Sequence, residues 1–162
     1  MAKQKQKKRA DIPSNDHVGR YCNPQRIIRD PSSQQVLGVF PEAFALRAER
    51  NENYLSAHWM EKLAYGLTDQ FGGVVDALNR KGIATKPRGG ILRINAGTVV
   101  AVGLSLGHTL RVSPRPTETD PCYSGIFGLP PDNRDHNLLS QLAQKSCVAI
   151  SSGGTITSLN PV

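Results

Sequence analysis

No apolar run in this chain approaches the roughly 18–20 residues that cross a bilayer. Its apolar positions come as short pieces bounded by proline or glycine: Val36–Phe40 stops at Pro41, Thr109–Val112 stops before Pro114, and Ile91–Ile94 follows Lys86-Pro87-Arg88-Gly89-Gly90. Such punctuation suits short strands and helices around one core. At 162 residues the chain supports one compact domain and excludes two large ones. With 38% hydrophobic and 20% charged residues it is neither collagen-like nor wholly disordered, so a soluble protein is expected.

Charge is distributed unevenly. The net charge is +7, and residues 1–9 supply +5 of it through Lys3, Lys5, Lys7, Lys8 and Arg9 with no acid among them. The remaining chain, 15 basic against 13 acidic residues, is close to balanced. A segment with no hydrophobic periodicity does not repay its ordering entropy, so residues 1–15 are expected to be a disordered basic tail. Its five cations are the candidate nucleic-acid-binding residues, drawn to polyanions by charge alone. The folded domain is expected over 16–152 and a flexible end over 153–162. Asp11, Asn15 and Asp16 interrupt any signal-peptide core, which points to the cytoplasm. Cys22, Cys122 and Cys147 are odd in number and form no CxxC pair, so reduced thiols and no disulfide-linked partner are expected.

The coarse elements follow from spacing. Residues 10–35 read mostly as loop, with short apolar pieces at Val18–Cys22 and Ile27-Ile28, and Val36–Phe40 reads as a strand. Glu42–Arg50 reads as one helical turn or an irregular segment. Leu55, Trp59, Met60, Leu63 and Ala64 recur every three to five residues, which predicts a helix from Ser56 to Gly66. Thr68 is the expected cap of a second helix reaching Lys81, with Gly82 as its terminator. Gly72 and Gly73 each cost that helix about 1 kcal/mol relative to Ala, which implies either close packing against another element or no helix there. Ile91–Ile94 and Thr109–Val112 read as strands. Between them, Val99–Leu106 is either a helix capped by Thr98 and closed by Gly107 or a strand leading into a hairpin. Ile126-Phe127 reads as a small strand, Asp132 as the cap of a helix carrying Leu138, Leu139, Leu142 and Ala143, and Cys147–Ile150 as a buried strand. Together these give an α+β domain, a small mixed sheet packed with two or three helices.

Several constellations point to chemistry. Gly103-Leu104-Ser105-Leu106-Gly107 matches a G-x-S-x-G elbow, and Asp120 or Asp132 and then His136 follow in hydrolase order. The residues after it read as strand rather than the helix an elbow requires, so small residues at a turn are the simpler reading. His17, Cys22, His58 and Cys122 are metal-ligand types without closed-pair spacing, so no metal or cofactor is assigned. Cys22 sits beside Arg20, whose guanidinium would favour the thiolate of a nucleophile. On the predicted helix His58 and Glu61, three apart, would be neighbours suited to proton transfer, flanking Trp59 as a core anchor. Ser151-Ser152-Gly153-Gly154-Thr155 lacks the lysine of a phosphate loop.

Gly19-Arg20-Tyr21-Cys22, LGVFPEAFALR over 37–47, YLSAHWME over 54–61 and DPCYSGIFGLP over 120–130 resemble a group of small uncharacterised bacterial proteins. In that group Arg-Tyr, PEAF-x-LR, YLS-x-x-W-x-E and DP…LP segments succeed one another. The resemblance implies a single bacterial domain and names no reaction. In its pattern a histidine often stands close to the position of Tyr123. Taken together, these features lead to the expectation of a non-enzymatic accessory or binding protein that meets nucleic acid or a nucleoprotein partner. The competing expectation is a small hydrolase or transferase built from Arg20, Tyr21, Cys22, His58, Glu61 and Tyr123.

Overall fold

The computed structural model of the chain describes residues 10–63, 67–131, 134–152 and 155–158. Strand β1 (His17–Cys22) is followed by a separate hairpin, β2 (Ile27–Arg29) and β3 (Val36–Val39), and then by β4 (Tyr54–Trp59). Helix α1 (Leu67–Arg80), β5 (Gly90–Asn95), α2 (Ala96–Ser105), β6 (Arg111–Pro114) and β7 (Tyr123–Phe127) come next. Helix α3 (His136–Gln144), β8 (Cys147–Ser152) and β9 (Thr155–Ser158) complete the order. Among the described residues the main sheet runs β6-β7-β4-β1-β5-β8-β9, every neighbouring pair antiparallel. The α+β class is as expected; the sheet is larger than expected and antiparallel rather than mixed.

Alternation sorts the side chains. Val18, Leu55, Ala57, Leu92, Ile94, Val112, Ile126 and Val148 are buried in one core with Val99 of α2, Leu138 and Leu142 of α3, and Phe44 of the 3-10 turn Pro41–Phe44. Each large side chain removed from water there contributes about 1.5–3 kcal/mol. On the opposite face, Phe71, Val74 and Leu78 of α1 pack on Met60, Ile91 and Ala149. Helix α1 therefore lies over β1 and β5, and the same face of β4, β7 and β6 keeps the half-exposed side chains described below.

The helix ends follow local rules. Gly82, at φ 75°, takes the left-handed conformation; its N–H bonds the Asn79 carbonyl at 3.0 Å and the Ile83 N–H bonds Leu78 at 3.0 Å. That closure satisfies two terminal carbonyls of α1 and fixes Lys81 at the turn. Gly73 lets α1 approach the adjoining turn, since a Cβ there would sit 3.1 Å from Leu63 Cβ, whereas Gly72 faces open space. The middle piece resolves to a helix, but its cap is Asn95, whose Oδ1 accepts from Thr98 N at 2.9 Å. Helix α3 is capped by Asp135, whose Oδ1 accepts from Leu138 N at 3.0 Å; the expected cap, Asp132, lies outside the described residues.

The predicted helix over 56–66 is instead strand β4 and a 3-10 turn at Met60–Lys62, with its expected end at Gly66 outside the described residues. Leu55 and Ala57 are buried on the alternate positions of a strand, and Met60 is buried only because the chain turns directly after it. Within the segment read as a flexible end, Thr155–Ser158 pairs with β8 in the register Ser152↔Thr155 to Ala149↔Ser158, extending the sheet. Of the basic tail expected over 1–15, residues 1–9, Lys3 to Arg9 included, lie outside the described residues, as do Gly153 and Gly154 of the Ser/Gly segment. Residues 10–15 are described, and there Ile12 is buried in the core with its N–H bonded to the Val112 carbonyl at 2.8 Å.

Candidate functional site

The open half of the sheet is built by register. β4 and β7 pair Tyr54 with Phe127, Ser56 with Gly125 and His58 with Tyr123, so all six positions share the face that α1 leaves uncovered. β6 extends that face with Arg111 opposite Phe127 and Ser113 opposite Gly125, and Arg115 N bonds the Tyr123 carbonyl at 2.8 Å just beyond the ladder. Gly125 is what lets two rings lie against the strand: a Cβ there would stand 2.6 Å from Tyr54 Cδ2 and 2.9 Å from Phe127 Cε2. The rings stack with centroids 4.8 Å apart and planes 22° from parallel. The guanidinium of Arg115, which makes no ion pair among the described residues, lies 4.8 Å from the Tyr54 centroid and 5.6 Å from that of Phe127.

Beside this platform three hydroxyls meet. Tyr123 OH is 2.7 Å from Ser56 Oγ and 3.1 Å from Tyr54 OH, and the Tyr123 contact followed by burial raises the Tyr54 phenol above its ordinary value. Lys81 Nζ stands 3.9 Å from the Tyr123 ring centroid and bonds Asp120 Oδ2 at 2.5 Å. Lys81 and Arg115 thus supply cations at this face, each in contact with an aromatic ring.

Beneath Tyr123 lies a buried pair. His58 Nε2 and Asp120 Oδ2 are 2.7 Å apart, and the residues are only 3% and 2% exposed. Burial lowers the His58 imidazole below its ordinary value against the opposing pull of Asp120. Burial acts to raise Asp120, but hydrogen bonds from Lys81 and His58 outweigh it and hold the carboxyl low. A carboxylate only accepts, so the neutral ring carries its proton on Nε2 and donates it. The loop that brings Asp120 here is closed by Thr117, whose Oγ1 accepts from Asp120 N at 3.0 Å, and Pro116 and Pro121, with no N–H to donate, keep the segment out of the sheet.

The structure brings only some of the singled-out residues together. His58 and Tyr123 are adjacent, their rings 5.9 Å apart edge to face. Tyr21 shares that sheet face but is engaged by the loop before β5, accepting from Lys86 N at 2.8 Å. Arg20 and Cys22 alternate to the opposite face. Arg20 donates to the Ser56 carbonyl at 2.8 Å where β1 and β4 diverge, and burial lowers its pKa. Burial pushes the Cys22 thiol up to about 11, outweighing the Arg20 and Arg26 charges that favour thiolate, so it is protonated at neutral pH. Glu61 does not meet His58; it accepts from His17 through the ring at 2.7 Å and the backbone at 2.8 Å. Trp59 is half-buried against the main core, with Nε1 donating to Asp16 at 2.8 Å, and His58 is the more deeply buried of the two. Ser105 donates to the Val102 carbonyl at 2.8 Å inside the last turn of α2. Among the described residues no three His, Cys, Asp or Glu side chains gather as a metal site would need.

Tyr54, Ser56, Lys81, Asp120 and Arg115 were not singled out together by the sequence. The available signal was the alternation Tyr54/Ser56/His58, which marks a second, polar face once the segment is a strand. No protein family model, no curated protein and no solved structure matches the chain. Among the described residues no helix is long and apolar enough to cross a membrane.

Proposed function

We propose that this protein binds single-stranded nucleic acid on the open face of β4, β7 and β6, without catalysing a reaction, and that its basic N-terminal segment strengthens the binding by charge. The observation that carries the reading is Arg115, a planar cation resting on the Tyr54–Phe127 pair where an unpaired base would stack. Stacking on aromatic rings is tolerant of sequence and contributes about 1–3 kcal/mol per base. Lys81 and Arg115 are placed to meet phosphates, and the Tyr123, Ser56 and Tyr54 hydroxyls offer donors and acceptors to base edges or sugars.

The burial of His58 and Asp120 favours binding over catalysis. General acid–base work needs a group within reach of substrate, whereas this pair lies under Tyr123 and is satisfied by its own partners. Its role is to fix Tyr123 and Lys81 in place. The proposal is tested by fluorescence anisotropy of a labelled oligothymidylate with the full-length protein over a series of salt concentrations. Arg115→Gln is expected to weaken binding and to lower the slope of log affinity against log salt by about 1; Tyr54→Ala is expected to weaken it about 5- to 150-fold with little change in slope. Both variants binding like the parent would refute the assignment.

A further inference from the structure

A second cationic feature lies outside the open half-sheet. The loop joining β2 and β3 and the loop before β5 are tied together by two arginines. Arg29 Nη1 donates to the Gln34 carbonyl at 3.1 Å, Arg29 Nη2 donates to the Arg88 carbonyl at 3.1 Å, and Arg88 Nη2 donates to Gln34 Oε1 at 2.6 Å. Gln34 is itself held in the left-handed region at φ 60°, with its N–H bonded to the Asp30 carbonyl at 2.9 Å. A non-glycine residue in that conformation persists only where its surroundings fix it.

The cross-link sets two positive charges, Arg29 and Arg88, side by side with no acid partner among the described residues. The neighbouring acid, Asp30, turns its Oδ1 to the Ser32 and Ser33 amides at 2.8 and 2.7 Å. A guanidinium carries five N–H donors, and the three bonds above are those the pair makes among the described residues. Burial and the Arg88 charge both lower the Arg29 pKa. Planar forks of this kind match the oxygens of a phosphate two at a time, with a geometry a lysine cannot supply.

We infer that Arg29 and Arg88, cross-linked through Gln34, form a binding site for a phosphate group. The site is separate from the half-sheet and does not depend on what that face binds. The phosphate comes either from the end of a nucleic-acid strand or from a free phosphate or phosphate monoester.

The test uses the full-length protein with inorganic phosphate as probe, replacing chloride at constant ionic strength, read by the arginine Nε–Hε and Gln34 side-chain amide signals in ¹H–¹⁵N spectra. Saturable shifts at Arg29, Arg88 and Gln34 are expected. Arg88→Gln, on an exposed loop, and Arg29→Lys, which keeps the charge but removes the fork, are each expected to weaken phosphate binding at least tenfold while the remaining spectrum stays folded. Absence of saturable shifts in the parent, or unchanged affinity in both variants, overturns the site. Competition separates the two sources. Stronger displacement by a 5′-phosphorylated than by a 5′-hydroxyl oligonucleotide supports a strand terminus, and equal displacement supports free phosphate or a monoester. Tyr54→Ala and Arg115→Gln are expected to leave the phosphate shifts unchanged, so failure of the half-sheet reading and failure of this one are told apart.

Discussion

At the scale of single residues, the platform depends on what Gly125 lacks and the support beneath it on what His58 does not carry. Gly125→Ala would drive a methyl into both rings, and overpacking of this kind costs about 1–3 kcal/mol. The denaturation midpoint should fall accordingly and oligothymidylate binding should weaken with it; an unchanged midpoint would show that the rings do not rest on that strand. His58 gives a pH signature. Its folded pKa lies below its unfolded value of about 6.5, so between the two the unfolded chain binds more protons and stability rises with pH. Stability should therefore hold above about pH 6.5 and decline as pH falls below it. A second decline should follow below about pH 4, as Asp120, held low in the folded state, is protonated. In His58→Gln the first decline should vanish and the second remain, read from urea midpoints across pH. Greater stability at pH 5.5 than at 7.5 in the parent would mean that the ring is charged in the fold. This residue also shows what the sequence concealed. His58 was paired with Glu61 on the assumption of a helical turn, whereas its partner, Asp120, is 62 residues away. The Cys22 expectation failed for a related reason: Arg20 is adjacent in sequence, but burial outweighs its charge.

At the scale of elements, what was legible had local causes. Helix α1 announced itself through Phe71, Val74 and Leu78 and through Gly82, and the strand at Cys147 followed from a bounded apolar run, whereas the run after β5 fitted a helix and a strand alike and only the structure shows it to be α2. In β4, Leu55, Trp59, Met60 and Leu63 mix strand alternation with the 3-10 turn that follows, producing a spacing close to a helix period that hides the strand. β9 was missed because a polar Ser/Gly stretch precedes it, and its pairing with β8 supplies what its own sequence does not. The terminator of α1 offers an element-scale test. Open space surrounds Gly82, so Gly82→Ala should cost about 1–2 kcal/mol through backbone conformation alone. Because that turn positions Lys81, the variant should also bind nucleic acid more weakly. A stability equal to the parent's would mean that the helix ends by another device.

At the scale of the whole molecule, the sheet is used twice. One face closes the main core with α2 and α3; the other is covered by α1 over β1 and β5, and its remaining half presents rings, hydroxyls and the cations Lys81 and Arg115. The sequence showed the α+β class and a nearly neutral body beside a basic tail. It did not show that Tyr54, Lys81, Arg115 and Tyr123 share one face, because that juxtaposition is made by strand order β6-β7-β4-β1, which joins residues from both halves of the chain. The near balance of charge over residues 10–162 also hid the local excess, since acids such as Asp120 are buried and satisfied while Arg115 remains without an acid partner among the described residues. The most direct test of this account is chemical-shift mapping of the full-length protein during titration with a single-stranded oligonucleotide. The account predicts saturable shifts concentrated at Tyr54, Ser56, Lys81, Arg115, Tyr123 and Phe127, and shifts confined to residues 1–9 would contradict it.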